Sequence, residues 1–279
     1  MHTFRIMRAV ALLLFSSCCP LLAQKTDAPA KADSKPLTTA AQKTPATAPP
    51  APKPPPAAAA PDNADYFTAP DAEAFSPKVI DTTVAPQIIA FGSCNKAEKP
   101  QGHWAHIMAN QPKLWIWLGD IIYADTTNMK ALAKHYRMLK THPGYKKMRQ
   151  STQVVGVYDD HDYGVNDACK DYPKKKDSKK CLMDFMDIPL QAAVRKHEGA
   201  YQSYTFGKGD QTIKVIVMDT RYFRDALEPD PTKQRRYIPN TTGTVLGDVQ
   251  WKWLERELRH SKANLNILCS SVQVIADEQ

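Results

Sequence analysis

Short apolar segments that end in a glycine or in acidic residues recur between residues 86 and 274. Five apolar residues at 114–118 run into Gly-Asp, which is typical of a buried strand followed by a tight turn. The strand predicted at 87–91 likewise runs into Gly-Ser-Cys, and the strand predicted at 153–158 runs into Asp-Asp-His-Asp. Open α/β sheets bind ligands at the carboxyl ends of their strands. The pattern therefore predicts one sheet edge that carries the chemistry.

Apolar residues with helical spacing separate these strands. Helices are predicted at 101–110 and 128–140, and a His-Pro-Gly sequence is expected to end the second. A strand, a helix and a further strand in succession predict a parallel crossover. The alternation continues with a strand at 213–219, a helix with Trp251, Leu254 and Leu258 on one face, and a strand at 266–274. The fold class is therefore predicted to be α/β with a parallel or mixed sheet.

Residues 1–23 have the three parts of a secretory signal peptide. Two arginines precede an apolar run at 9–15 that is too short to span a bilayer, and a small-residue sequence at 21–23 resembles a cleavage site. Cys18 and Cys19 leave a lipoprotein anchor as the alternative. We expect a secreted, periplasmic or cell-surface protein without a transmembrane segment.

Residues 24–61 are rich in alanine, proline and lysine and are predicted to be a disordered, extended linker. Its lysines could contact an anionic cell surface, with a plain solvated linker as the alternative. Residues 62–85 lead into the predicted domain at 86–279. The formal net charge of the chain is +8, but 30 basic and 27 acidic residues lie beyond residue 61. The domain is thus nearly neutral, and we expect no specific nucleic-acid binding.

A lysine-rich stretch at 170–180 is predicted to be a solvated loop. Cys169 and Cys181 flank it, and in an exported protein they could form a disulfide. Two free thiols are an equally open alternative. Cys269 lies in an apolar run and is predicted to be part of the core.

Polar side chains that can bind metals follow the three predicted strands. They are Cys94, Asp120 with Tyr123, and the acidic cluster at 159–162 with Asn166. Three carboxylates and a histidine within four residues repel one another unless cations neutralise them. Oxygen ligands of this kind suit hard metal ions. The sequence therefore predicts a metal site, with a solvated acidic turn as the alternative.

Four ordered motifs resemble the PhoD-type alkaline phosphatases of the calcineurin-like metallophosphoesterase superfamily. They are Phe-Gly-Ser-Cys at 91–94, Gly-Asp-x-x-Tyr at 119–123, Tyr-Asp-Asp-His-Asp-Tyr-Gly at 158–164 and Asp-Thr-Arg-Tyr at 219–222. The resemblance implies an αββα sandwich with mixed sheets and with metals at the strand ends. The second half of that fold is expected to be incomplete here, because the family's Gly-Asp-Val-His segment does not occur. A fragment, a truncated product and a degenerate member all remain open.

The resemblance also implies a cofactor, Fe³⁺ with Ca²⁺, and a ligand set. Cys94 and Tyr123 would bind iron through a thiolate and a phenolate, and Asp120 would bridge iron and calcium. Asp159 and Asn166 match calcium ligand positions. Thiolate and phenolate suit a trivalent iron, and carboxylate and amide oxygens suit calcium.

Two further residues receive catalytic roles from the resemblance. His161 would orient a ligand or carry a proton, and Arg221 would bind phosphate through two hydrogen bonds. A salt bridge from Arg221 to Asp219 or Asp225 is the alternative. The implied function is an exported metal-dependent phosphoesterase that hydrolyses phosphate mono- or diesters. A truncated, non-catalytic phosphatase-like protein with a binding or regulatory role is the alternative.

Overall fold

The computed structural model describes residues 9–13, for which it gives the backbone alone, and residues 78–274. The rest of the predicted signal peptide and the predicted linker lie outside the described residues. The elements in chain order are β1 (Ala9–Leu13), β2 (Ile89–Gly92), α1 (His103–Ala109), β3 (Leu114–Leu118), α2 (Met129–Thr141), α3 (Pro143–Ser151), β4 (Gln153–Val157), α4 (Asp160–Tyr163), α5 (Lys175–Phe185), α6 (Ala193–Lys196), β5 (Gln202–Phe206), β6 (Ile213–Val217), β7 (Glu228–Pro229), β8 (Tyr237–Ile238), α7 (Gly247–Arg259) and β9 (Leu265–Cys269).

The first sheet consists of three parallel strands in the order β2-β3-β4. In the central strand β3 all five residues are buried, which explains why its sequence is apolar without alternation. Ile89 pairs with Leu114, and Leu114 pairs with Gln153. The predicted parallel crossover is confirmed, and the three strands end at one edge.

The second sheet has four strands in the order β1-β9-β6-β5. β6 and β9 are parallel, whereas β5 and β6 are antiparallel, so the predicted mixed α/β class is confirmed. β1 belongs to the segment predicted as the apolar part of the signal peptide, and here its backbone pairs with β9 in parallel. Cys269, at the end of β9, is fully buried, as predicted.

The helices around the first sheet follow the predicted apolar spacing with one addition. The Asn128 side chain caps α2 by accepting hydrogen bonds from the backbone N–H of Lys130 and of Ala131. The His-Pro-Gly sequence ends α2 as expected, but it also begins α3, which the sequence did not predict. Pro143 occupies the start of α3, where its missing N–H costs nothing.

The lysine-rich stretch is largely helical, so the predicted solvated loop is wrong. α5 buries Cys181, Leu182 and Phe185 on one face, and Lys179 is itself buried. These apolar residues at helical spacing pack α5 onto the domain, and of its lysines only Lys176 is exposed. Cys169 and Cys181 are both free thiols, so no disulfide joins them.

The predicted face of α7 is also partly wrong. Leu254 is buried and Leu258 packs beside it, but Trp251 is half exposed. The buried position one turn before Leu254 is Gln250. Its Oε1 accepts a hydrogen bond from the backbone N–H of Asp219, and its Nε2 donates one to the Asp219 carbonyl. A buried glutamine was not expected because its apolar neighbours fit a similar helical face. Among the described residues, no helix is both long and apolar enough to cross a membrane.

Candidate metal centre

The turn after β3 sets the position of Asp120. Gly119 and Asp120 both have positive φ angles, of 88° and 47°. A Cβ on Gly119 would lie 2.5 Å from the Cβ of Asp159, so only glycine allows the two strand ends to approach so closely. The next residue, Ile121, donates its backbone N–H to Oδ2 of Asp162 at 2.9 Å. The turn therefore holds Asp120 beside the acidic cluster that follows β4.

Three of the predicted metal ligands meet at this turn. The Sγ atom of Cys94 lies 3.8 Å from Oδ2 of Asp120, and the Tyr123 hydroxyl donates to the same oxygen at 2.9 Å. Asn95 joins the two loops, because its backbone N–H donates to the carbonyl of Asp120 at 2.8 Å. The other carboxylate oxygen of Asp120, Oδ1, is buried and has no hydrogen-bond partner among the described residues.

Asp120 also belongs to a second set of possible ligand atoms. Asp120, Asp160 and His161 each offer one atom, and these three atoms lie within 4.8 Å of one another. Asp160 was predicted only as a member of the acidic cluster, and His161 as a catalytic residue that orients a ligand or carries a proton. The orphaned Oδ1 of Asp120 and this group of donors fit a metal ion at the strand ends.

Asp159 faces Arg221 instead of this group. Nε of Arg221 lies 2.5 Å from Oδ1 of Asp159, and Nη2 lies 3.5 Å from Oδ1 of Asp160. Ser271 also donates to Oδ1 of Asp159, at 2.9 Å. Arg221 therefore forms a buried salt bridge, although with neither of the partners considered from the sequence. Its Nη1 is buried without a hydrogen-bond partner among residues 78–274.

Asn166 lies on the exposed side of the loop after α4. Its Nδ2 donates to Oδ2 of Asp167 at 2.7 Å, and no hydrogen bond within residues 78–274 joins it to Asp120 or Asp159. The backbone N–H of Asp167 donates to Oδ2 of Asp160 at 2.7 Å. The loop is thus tied to the cluster through its backbone, while the Asn166 side chain is bonded elsewhere.

Residues 89–278 match the family model described as PhoD-like phosphatase. The chain belongs to the PhoD-like phosphatase family. A solved structure entitled "Structure of PhoD" has the same fold with a TM-score of 0.53 and 19% sequence identity. The alignment covers 69% of this chain and 43% of that chain, so this chain spans less than half of that protein. No curated protein matches. The resemblance inferred from the motifs is therefore confirmed.

Electrostatics in this PhoD-like chain favour a cation at Asp120. Burial, together with the nearby charges of Asp159 and Asp160, raises the pKa of Asp120 to about 6. Burial and the Asp120 charge also raise the pKa of Asp162. Burial disfavours the Asp160 carboxylate, but Arg221 outweighs that effect and lowers its pKa. Arg221 is the cation that interacts with Asp159, Asp160 and Asp120, and added positive charge would relieve the repulsion among these buried carboxyl groups.

A histidine–aspartate pair borders the same cluster in the PhoD-like fold. Nδ1 of His161 lies 2.7 Å from Oδ1 of Asp125, and the imidazole ring lies 4.2 Å from the Tyr123 ring. Burial lowers the pKa of His161, but the Asp125 hydrogen bond and the Asp120 charge outweigh it and raise the pKa. Asp125 was not predicted from the sequence. Its backbone has a positive φ of 43°, and its N–H donates to the carbonyl of His161 at 3.3 Å.

Proposed function

We propose that this chain is a metal-dependent phosphoesterase that hydrolyses phosphate mono- or diesters. The observation that carries the proposal is Asp120, which is buried, belongs to both sets of possible ligand atoms and has one carboxylate oxygen unpaired among the described residues. Membership of a phosphatase family supports the reaction class. The arrangement of the two sheets as an αββα sandwich, and export by the segment at 1–23, are parts of the same proposal.

The proposed ligands form two groups that share Asp120. Cys94, Tyr123 and Asp120 would hold one ion, and their thiolate and phenolate suit Fe³⁺. Asp120 and Asp160 would supply carboxylate oxygens to the other, for which Ca²⁺ is the expected ion, with His161 beside them. We propose Asp160 in addition to the predicted Asp159, because the Arg221 salt bridge already neutralises Asp159. Asn166 stays a predicted calcium ligand.

Metal ions bound at such a site act as Lewis acids and activate an oxygen nucleophile. The residues of the chain perform the remaining tasks. Asp125 fixes Nδ1 of His161, which leaves Nε2 free to hold a metal or to exchange a proton. Arg221 keeps Nη1 available for a phosphate oxygen while Nε binds Asp159. Both roles position the ester against the Asp120 carboxylate.

The test uses the full chain, with bis-p-nitrophenyl phosphate as the substrate. Asp120→Asn should reduce kcat/KM at least about 100-fold, because the shared ligand is lost. Asp210→Asn, an exposed carboxylate in the turn between β5 and β6, should leave kcat/KM unchanged. Metal content is measured by plasma mass spectrometry: iron should fall in Cys94→Ser, and both iron and calcium should fall in Asp120→Asn, because Asp120 is shared by the two groups. Unchanged turnover in Asp120→Asn would show the site assignment to be wrong. If the wild-type chain binds metal but does not turn over the ester, the result would instead support a non-catalytic, phosphate-binding role.

A further inference from the structure

The hairpin formed by β7 and β8 contacts the loop that follows α4, and the contact is made through Asp167. The Tyr237 hydroxyl donates to Oδ2 of Asp167 at 2.7 Å, and Nη2 of Arg236 lies 2.8 Å from the same oxygen. Asp167 and Tyr237 are 70 residues apart in the chain. Two neighbouring residues of the hairpin therefore hold one carboxylate of a distant loop.

Asp230 gives the turn of this hairpin a defined shape. Its Oδ1 accepts a hydrogen bond from the backbone N–H of Thr232 at 2.8 Å, and its Oδ2 accepts one from the backbone N–H of Arg235 at 2.8 Å. Bonds of this kind between a short polar side chain and the nearby backbone stabilise turns. The residues that contact Asp167 thus follow directly after a turn that is held in place.

Asp167 in turn contacts two of the proposed calcium ligands. Its backbone N–H donates to Oδ2 of Asp160 at 2.7 Å, and Asp160 belongs to the set of donors that includes Asp120. Its side chain accepts a hydrogen bond from Nδ2 of Asn166 at 2.7 Å. Because a carboxylate accepts but does not donate, the amide nitrogen of Asn166 must face Asp167, and the amide oxygen is turned away from it. Asp167 therefore fixes the orientation of both side chains.

The backbone of Asp167 is held at a conformation that the chain would not adopt by itself. Its φ angle is 61°, which is unfavourable for a residue with a Cβ. Nη2 of Arg224, a side chain only 7% exposed, donates to the Asp167 carbonyl at 2.7 Å. The backbone N–H of Lys170 donates to the carbonyl of Arg224 at 2.9 Å. These bonds fix the place from which the Asp167 N–H reaches Asp160.

We propose that Asp167, held by the β7–β8 hairpin, is a positioning residue that orients the Asp160 carboxylate and the Asn166 amide toward calcium. Removal of residues that orient metal ligands typically weakens metal binding about 10–100-fold. The inference rests on the proposed metal-dependent function and assigns the hairpin to the calcium group. The iron group is independent of it, because no hydrogen bond within residues 78–274 joins Asp167 to Cys94 or Tyr123.

The calcium affinity of the full chain tests the proposal, measured by isothermal titration calorimetry after calcium is removed with EGTA. Asp167→Ala should weaken calcium binding about tenfold. Arg236→Gln/Tyr237→Phe should do the same, and it avoids the strain that alanine meets at a positive φ. Asp167→Asn keeps an acceptor oxygen and tolerates that φ, so its affinity should stay within about threefold of the wild type. Ser203→Ala removes a hydroxyl-to-carboxylate bond between β5 and α7 and should bind calcium like the wild type.

Two further measurements separate positioning from a general loss of structure. Asp167→Ala/Tyr237→Phe should bind calcium as Asp167→Ala does, because both changes act through the same carboxylate. Iron content, measured by plasma mass spectrometry, should stay at the wild-type level in every variant. Loss of iron together with calcium would overturn the positioning role, because the whole centre would then depend on the hairpin.

The calcium measurements also distinguish this inference from the proposed reaction. Hairpin-dependent calcium binding without turnover of bis-p-nitrophenyl phosphate would support the positioning role while the reaction fails. Turnover by the wild type, with wild-type calcium affinity in Asp167→Ala and in the hairpin variant, would overturn the positioning role and leave the reaction standing. A wild-type chain that binds no calcium would overturn the positioning role whatever its turnover.

Discussion

The features of Asp120 that favour metal binding also destabilise the metal-free protein. Its side chain is 3% exposed, and the carboxylates of Asp159 and Asp160 lie nearby. A buried carboxylate with an unpaired oxygen has lost water without gaining a full set of partners. The same unpaired oxygen is what a cation would bind. At the residue scale, the proposed metal site is therefore a place where the metal-free fold is under electrostatic strain.

The metal-free chain should become less stable between about pH 4 and pH 6, and Asp120→Asn should remove part of that loss. The pKa of Asp120 is raised from 3.8 to about 6 in the folded state. Protonation of Asp120 therefore stabilises the folded state. This stabilisation is fully present below about pH 4 and is lost as the pH rises through 6. The difference amounts to at most about 3 kcal/mol. Urea unfolding in EDTA at pH 4.5 and 7.5 measures it.

Asp210→Asn is the matched control for that pH dependence, because Asp210 is exposed. It should follow the wild-type pH dependence, whereas Asp120→Asn should be the more stable protein at pH 7.5. Added Ca²⁺ should stabilise the wild type at pH 7.5 and leave Asp120→Asn unchanged. If the free energy of unfolding changed with pH in the same way in the wild type and in Asp120→Asn, the unfavourable charge assigned to Asp120 would be contradicted.

The sequence singled out the proposed ligands that directly follow strands, but not the proposed site residues whose position depends on local backbone conformation. Cys94, Asp120 and Tyr123 could be predicted because a strand end fixes where they lie. Asp160 could not be distinguished from Asp159, because the start of α4 decides which carboxylate meets Arg221 and which meets His161. Asp125 carries no signal in the sequence, since it lies in an irregular loop that is joined to His161 by backbone hydrogen bonds.

At the scale of elements, the turn between β3 and the residues before α2 determines how the site is assembled. Gly119 lies against the residue that follows β4 and against Ser271, which follows β9. Three strand ends therefore meet at one glycine. A side chain there would push apart the elements that carry Asp120 and Asp159.

Gly119→Ala should destabilise the protein much more than Gly209→Ala. Both glycines have positive φ angles, 88° and 55°, so alanine costs about 1–2 kcal/mol of backbone energy at each. Only at Gly119 would the new Cβ meet atoms at 2.5 and 2.7 Å, whereas nothing lies within 4 Å at Gly209. The clash should add about 1–3 kcal/mol. Urea unfolding of both variants checks this, and equal losses would show that the strand ends can separate freely.

Charge patterns misled the prediction of elements more than apolar patterns did. α5 carries so many lysines that its sequence resembles a loop, yet Cys181, Leu182 and Phe185 are spaced for one buried face. α7 shows the opposite case, because Trp251 fits the predicted face but lies half exposed while the polar Gln250 is buried. Burial of Gln250 depends on its bonds to the backbone after β6, which no local pattern contains.

At the scale of the whole molecule, buried polar contacts join the two sheets around the site. The Tyr158 hydroxyl, after β4, donates to Oδ2 of Asp219, after β6, at 2.6 Å. Arg221 and Ser271 both contact Asp159. These partners are separated by 61 to 112 residues along the chain. The sequence predicted that each residue lies near a strand end but could not predict the pairing, which depends on how the sheets meet.

Arg221→Met should therefore weaken both sheets at once. The substitution leaves the buried Asp159 carboxylate without its charge partner, and such a change costs about 3–5 kcal/mol. Asp159→Asn/Arg221→Met should cost less than Arg221→Met alone, because no uncompensated charge remains. Hydrogen exchange should show equal losses of protection in β3 and β6.

Arg259→Met removes an exposed pair with Glu255 and should change stability by at most about 0.5 kcal/mol. Loss of protection in β6 with β3 unchanged would mean that the sheets unfold separately, so that the metal centre joins two independently stable halves.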